Sequence, residues 1–331
     1  MLKVMMIVMI CLLALAVLYL LMIMPRMAGR PDTAPFRQWL YAHRGLHDNG
    51  PEAKKSVHGA EEIAHGSEKS VHGAEEISHG SEKFVHGAEE IAHGADEIAP
   101  ENSLRAFRKA VKAGFGIELD VQMTKDHIPV VFHDFTLKRI CGQEGKVSDY
   151  TYEELQQFPL CGSDQRIPKF EDVLKCVDGS VPLIVELKIE ATDLSVCPAA
   201  DALLAEYQGQ YCIESFNPLG LFWYRRHRKN VVRGQLAEGF LRVGEYKGVL
   251  YFLLQNLLFN FLTKPDFIAY NHRHYDMLSR RLCRGLYHNM AAAWTIKSKE
   301  QLEAAGSHFD IFIFDSFVPE KKSGAEGQEG V

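Results

Sequence analysis

The sequence predicts an α/β fold, a TIM-type (β/α)8 barrel with an irregular early crossover, preceded by one transmembrane helix. Three observations carry this. Short apolar runs alternate with helical patterns, as in a parallel α/β sheet. Their number within about 290 residues suits a barrel better than a doubly wound sheet. Ionisable residues gather at the carboxyl ends of the early runs, where barrel strands converge on one mouth.

The first element is the anchor. Val4 to Met24 is an unbroken apolar run of 21 residues, about 31 Å as a helix, which matches the hydrocarbon thickness of a bilayer. The following "PRMAGRPD" offers no small-x-small cleavage site, so the run reads as an uncleaved anchor occupying residues 1–30. Lys3 precedes it and Arg26, Arg30 and Arg37 follow; this balance places the domain behind it on the cytoplasmic side. Seven cysteines, an odd count without framework spacing, agree with a reducing compartment.

The barrel is expected over 36–318, with a flexible tail at 319–331. Inside it, 52–98 is a repeat insertion. Reading in sevens from Val57 gives VHGAEEI, AHGSEKS, VHGAEEI, SHGSEKF, VHGAEEI and AHGADEI, with His58, His65, His72, His79, His86 and His93 in register. A glycine after each histidine weakens a helix by about 0.8–1 kcal/mol per copy. Histidines seven apart would stand about 10.5 Å from one another on a helix, too far to share an ion. The expectation is a solvated arm outside the core. Residues 52–97 carry ten Glu, one Asp and four Lys, which is −7 of the net −6, so the remainder sums to +1. That excludes a basic surface for nucleic acid.

Expected strands are WLYAH ending at His43, GIELDV, PVVFH, PLIVELK, YCIESF, VVRGQL, FIAYN, AAWTI and DIFIFD. Expected helices are Asn102–Ala113, capped by Asn102 or Ser103, then Tyr152–Phe158, Phe170–Val177, Pro218–Arg228 and Lys299–Ala305. Nine strands are one too many for the barrel. The link from GIELDV to PVVFH is too short for a helix, so the regular pattern breaks there. The apolar run Gly248–Leu262 has two readings, a buried barrel helix or an interfacial helix lying on the membrane.

The chemistry sits at strand ends. The first strand ends in His43 and Arg44, the second carries Glu118 and Asp120, the third ends in His133 and Asp134, and the fourth carries Glu186 and Lys188. Residues two apart share a strand face. Glu118, Asp120 and Glu186 offer only oxygen ligands, which suits one hard divalent cation, Ca2+ or Mg2+. Such an ion would offset the repulsion between acids that a strand face otherwise does not tolerate. His43 and His133 have ordinary pKa values near neutrality and suit a general acid and base pair. Arg44 and Lys188 supply the positive charge that a phosphoryl oxygen requires.

The segments AHRG (42–45), PENS (100–103), ELDVQMTKDHIPVVFHD (118–134), VELK (185–188), ESF (214–216) and WTI (294–296) resemble the glycerophosphodiester phosphodiesterase family. The resemblance runs from Tyr41 to Asp315 in the family's order. It implies a cation-dependent TIM-barrel phosphodiesterase that releases an alcohol from a glycerophosphodiester and leaves glycerol 3-phosphate. It implies catalytic roles for His43 and His133, metal ligation by Glu118, Asp120 and Glu186, and phosphate contacts by Arg44 and Lys188. Glu101 matches a site acid. Trp294 either packs on the glycerol portion or belongs to the core. Two departures stand out: the loop between the first two motifs is 54 residues long, and the last strand is FDIFIFDSF. The first leaves open a gating role for the loop, and the second puts the family's substrate pocket at that strand in question. The rival readings are a relative acting on lysophospholipids or phospholipids at a bilayer, and a non-catalytic, histidine-rich metal-binding membrane protein.

Overall fold

The computed structural model describes residues 1–50, 98–244 and 246–320. All of the heptad repeat except Ile98 lies outside these residues, as does the tail from 321, so the expectations of a solvated arm, a gating loop and a flexible tail fall outside them too.

All nine expected strands form: β1 (Leu40–His43), β2 (Gly116–Met123), β3 (Pro129–Val131), β4 (Leu183–Leu187), β5 (Tyr211–Ser215), β6 (Arg233–Ala237), β7 (Phe267–Asn271), β8 (Met290–Ile296) and β9 (Ile311–Phe314). Eight of them are parallel and close on themselves through the β1–β2 and β1–β9 pairings. The strand outside the barrel is β3. It folds back antiparallel on β2, Val121 opposite Val131. The expectation that His133 ends a barrel strand is therefore corrected. Only a few residues link β2 to β3, enough for a hairpin and too few for the crossover a parallel strand needs.

Alternation along each strand builds two cores. Outward residues such as Ile117, Leu119, Val185, Ile213, Ile268 and Phe314 pack under the surrounding helices. Inward residues Tyr41, Ile184, Cys212, Phe267, Ala269, Ala292 and Ile313 fill the lumen, with Phe36 joining them. The lumen is packed tightly enough to demand a glycine: a Cβ on Gly234 would lie 2.1 Å from the Phe267 ring. A third small core, with Val130, Phe132, Leu137, Ile140, Leu155 and Ile167, holds the excursion between β3 and β4.

The helices Leu104–Ala113, Phe170–Val177, Pro218–His227 and Lys299–Ala305 form as expected, and Tyr152–Leu155 is shorter. Val196–Glu206 and Leu278–Gly285 are helices beyond those expected from the sequence. Gly248–Leu262 is not one buried helix. It breaks into Val249–Gln255 and Asn260–Thr263, because Leu257 takes a left-handed conformation at φ 56. Val249, Leu250 and Phe252 are exposed.

The amino-terminal helix Leu2–Ile23 spans 22 residues, has a mean hydropathy of 3.1 over an 18-residue window, and is long and apolar enough to cross a membrane. Its last carbonyls, which no helix satisfies internally, are bonded by the barrel. Asn260 Nδ2 donates to Ile23 O at 2.9 Å, Lys264 Nζ to Met24 O at 3.1 Å and Tyr287 Oη to Leu20 O at 2.8 Å.

Gly234→Ala is expected to push Phe267 out of its place in the lumen and destabilise the fold by about 1–3 kcal/mol. Chemical unfolding in detergent measures this, and unchanged stability would contradict the lumen packing.

Candidate active site

Along the inward face, apolar residues at the strand bases give way to ionisable ones at the carboxyl ends. Tyr41 is followed two residues on by His43, Ile184 by Glu186, Cys212 by Glu214 and Ile313 by Asp315. Register brings Asp120, Glu186 and Glu214 to one level on adjacent strands, while Glu118 lies beside His43. The ligand oxygens of Glu118, Asp120 and Glu186 lie within 4.8 Å of one another.

The turn after β1 is fixed by its own residues. Arg44 and Gly45 take φ of 55 and 83. A Cβ on Gly45 would press at 3.0 Å on Ala106 and Phe107, so a glycine must follow the His-Arg pair. Arg44 N then donates to Glu118 Oε2 at 3.0 Å, and Arg44 Nη1 to Glu101 Oε1 at 2.7 Å. Asn102, also left-handed at φ 58, donates its backbone N–H to Arg44 O at 2.9 Å and its side chain to Asp120 Oδ2 at 2.8 Å. Ser103 caps the next helix by accepting from Ala106 N.

Glu101 is placed as a hub. Arg139 donates to both of its oxygens at 2.7 Å, and Asn49 Nδ2 donates to Oε2 at 3.0 Å. The same Arg139 reaches Asp134 at 2.6 Å, and Asp134 Oδ1 sits 2.6 Å from His133 Nδ1. His133 thus joins the site through Asp134, Arg139 and Glu101 to Arg44. Lys188 Nζ lies 3.1 Å from Glu186 and 3.6 Å from Asp120. Trp294 is half-buried at the mouth end of β8, its ring edge-on to Phe216 at 5.4 Å between centroids.

The electrostatics follow from crowding. Burial, then Asp120, Glu186 and Glu214, hold the Glu118 carboxyl well above its ordinary value. Burial raises Glu186 to about 7 despite Lys188. Glu214, pushed up by burial and by Glu186 and Asp120, has an oxygen without a hydrogen bond, as does Asp120. Burial opposes ionisation of Asp120 too, but His133, Lys188, Arg44 and the Asn102 hydrogen bond hold it below the ordinary range. Burial, Arg44 and Lys188 hold His133 well below the usual histidine value. Four buried acids therefore face two cations, and the under-compensated oxygens fit a divalent ion.

A second cluster adjoins the first. Asp315, just beyond β9, lies 3.5 Å from His43 Nδ1 and 3.1 Å from His47 Nε2. Burial would raise its carboxyl, yet the two histidines hold it well below the usual range. Burial would likewise lower His47, and Asp315 outweighs it, so His47 is raised. His43 stays below its ordinary value, through burial and Arg44.

Every sequence-predicted site residue lies at or near this mouth. Sequence patterning gave no role to Glu214, Arg139, Asn102, His47 or Asp315, and placed Asp134 at a strand end without one. Glu214 carried a signal in the inward parity of ESF. Arg139 carried none, since it arrives from the excursion between β3 and β4.

Residues 93–233 match the model of the glycerophosphoryl diester phosphodiesterase family. Human glycerophosphodiester phosphodiesterase 1 is 35% identical over 258 residues, 66% of this chain and 75% of that protein. Its mouse counterpart is 34% identical over the same length and shares. The match to YhdW of Bacillus subtilis, 40% identical over 117 residues, spans 33% of this chain and only 48% of that protein. Among solved structures, a phosphodiesterase of Oleispira antarctica in complex with the product sn-glycerol-3-phosphate superposes at TM-score 0.54 with 20% identity, covering 67% of this chain and 89% of that one. A glycerophosphodiester phosphodiesterase of Thermotoga maritima does so at 0.50 with 24% identity, covering 65% and 88%. At these identities the structures show the barrel fold.

Asp315→Asn is expected to lower the titration midpoint of His47, read by NMR of labelled histidine. The His47 contribution to stability is fully present below its unfolded value of about 6.5 and is lost as pH rises through the folded one; that of Asp315 is present above about 3.9 and lost as pH falls. The variant should therefore lose most stability between those limits. An unmoved midpoint would contradict the pairing.

Proposed function

The chain belongs to the glycerophosphodiester phosphodiesterase family, whose named members are phosphoric diester hydrolases, and we propose that its mouth cleaves a glycerophosphodiester to glycerol 3-phosphate and an alcohol. The observation that supports this most is the convergence of Glu118, Asp120 and Glu186 within 4.8 Å, beside His43 and His133. These three acids would hold one divalent cation, Ca2+ or Mg2+, which supplies Lewis-acid polarisation of a phosphoryl oxygen when bound.

The chain's own groups do the rest. Half-buried Arg44 and buried Lys188 are cations held by carboxylates, so they meet a phosphate without having to be ordered first. One imidazole takes a proton from the attacking hydroxyl and the other returns one to the leaving alcohol. Asp134 at Nδ1 of His133 and Asp315 near Nδ1 of His43 orient the rings for this work. Glu101 positions Arg44 and Arg139 and contacts the phosphate only through them. Trp294 borders the place of the glycerol portion.

His43→Ala and His133→Ala should each lower hydrolysis of glycerophosphocholine at least about 10²-fold; near-normal turnover in both would refute the assignment. Chelation should abolish turnover and Ca2+ or Mg2+ should restore it, whereas Glu186→Gln should raise the cation concentration required. Turnover indifferent to a chelator would remove the ion from the account.

Leu2–Ile23 is proposed as a retained anchor with the barrel on the cytoplasmic side, because Arg26, Arg30 and Arg37 outnumber Lys3. The intact mass of the membrane fraction after carbonate extraction tests it. A shortened, released chain would mark a signal sequence instead.

A further inference from the structure

We propose that the barrel mouth faces the bilayer holding the amino-terminal helix, with the helix Val249–Gln255 lying in its interface; the inference rests on the anchored-phosphodiesterase reading above. The first observation is the direction of the anchor. Ile23 and Met24 are bonded by Asn260 and Lys264, and Arg26 N donates to Pro265 O at 3.1 Å. Pro265 precedes β7, so this end of the helix lies at the base of the barrel. Four residues back, Tyr19 reaches Ser279, near the start of helix Leu278–Gly285, while Ile23 O faces Cys283 of the same helix. The two helices are therefore parallel. Leu278–Gly285 follows β7 and returns toward the base, so its amino end is at the mouth. The 17 helical residues before Tyr19, Leu2–Leu18, are exposed and continue about 26 Å past that level, close to the hydrocarbon thickness. Because the barrel bonds the helix carbonyls directly, no slack linker separates the two.

The second observation is a set of apolar side chains exposed on the mouth-side connections. Leu219 follows β5, Leu241, Val249, Leu250 and Phe252 follow β6, and Leu278 follows β7. These are mouth-side connections in the sector against which the anchor packs. The helix Val249–Gln255 is tied to that end: Gln255 O accepts from Tyr270 Oη at 2.9 Å and from Ser279 Oγ at 3.3 Å. An apolar helix face beside a spanning helix fits a lipid surface.

The third observation links that surface to the chemistry. Rings run in contact from Trp294 to Phe216 at 5.4 Å, Phe216 to Phe240 at 6.2 Å, and Phe240 to Tyr251 of the exposed helix at 5.6 Å. This row is the route by which the apolar part of an amphiphilic phosphodiester enters the mouth from the membrane.

The test uses the full chain in phosphatidylcholine vesicles with brominated acyl chains. Fluorescence added by Val249→Trp or Leu250→Trp should be quenched, while that added by Ser180→Trp, on the loop before β4 at the opposite end, should not. Quenching at 180 alone, or at none of the three, would overturn the orientation. This readout needs no turnover, so it stands apart from a failure of the catalytic reading. In a second arm, the double variant Leu250→Glu with Phe252→Glu should cut hydrolysis of vesicle-borne lysophosphatidylcholine at least tenfold and leave soluble glycerophosphocholine within twofold. Equal losses on both substrates, or a parent protein active on glycerophosphocholine alone, would remove the lipid route.

Discussion

Mutual repulsion among buried carboxylates governs this molecule's working end. Glu118, Asp120, Glu186 and Glu214 occupy neighbouring strand ends at the mouth of a closed barrel, where each charge is costly unless compensated. The compensation is partial. Lys188 and Arg44 approach the set, and Asp120 ionises at the expense of its neighbours, which are driven toward the protonated form. A site left short of positive charge in this way would suit the proposed divalent ion and a phosphate bound against it.

The surrounding ion pairs serve that arrangement. Arg44 is bonded to Glu101 and set by the left-handed conformations of Arg44 and Asn102, which makes it a fixed charge. Arg139 extends the same order to Asp134 and so to His133. Strain at a turn and buried ion pairs both carry a stability cost, which the two apolar cores, in the lumen and under the helices, offset. On the far side, Asp315 lies between His43 and His47, so a carboxylate stands near each proposed catalytic imidazole.

Much of this was legible in the chain because period-two alternation is a local property. The nine strands, the acids of GIELDVQ and the Glu186–Lys188 pair follow from it. So did the excess strand, although its identity as β3 depended on pairing geometry. Arg139 was not legible: it reaches Glu101 from a separately packed excursion, and no spacing announces that contact. The helix Val196–Glu206 was hidden by weak amphipathicity, and the break inside Gly248–Leu262 by a left-handed Leu257 that residue type does not favour. The Asp315 cluster was obscured because its contacts with His43 and His47 join the two ends of the barrel sequence, which no local spacing announces. The heptad repeat, the most conspicuous feature of the sequence, lies almost wholly outside the residues described.

The central claim is that one divalent ion sits among the three converging acids. Anomalous scattering from crystals of the protein soaked in Mn2+ tests it most directly. A single peak within bonding distance of Glu118, Asp120 and Glu186, lost in a Glu186→Gln crystal, is the expected result. Density only at His43, His47 and Asp315, or no peak at the mouth at saturating Mn2+, would contradict the account.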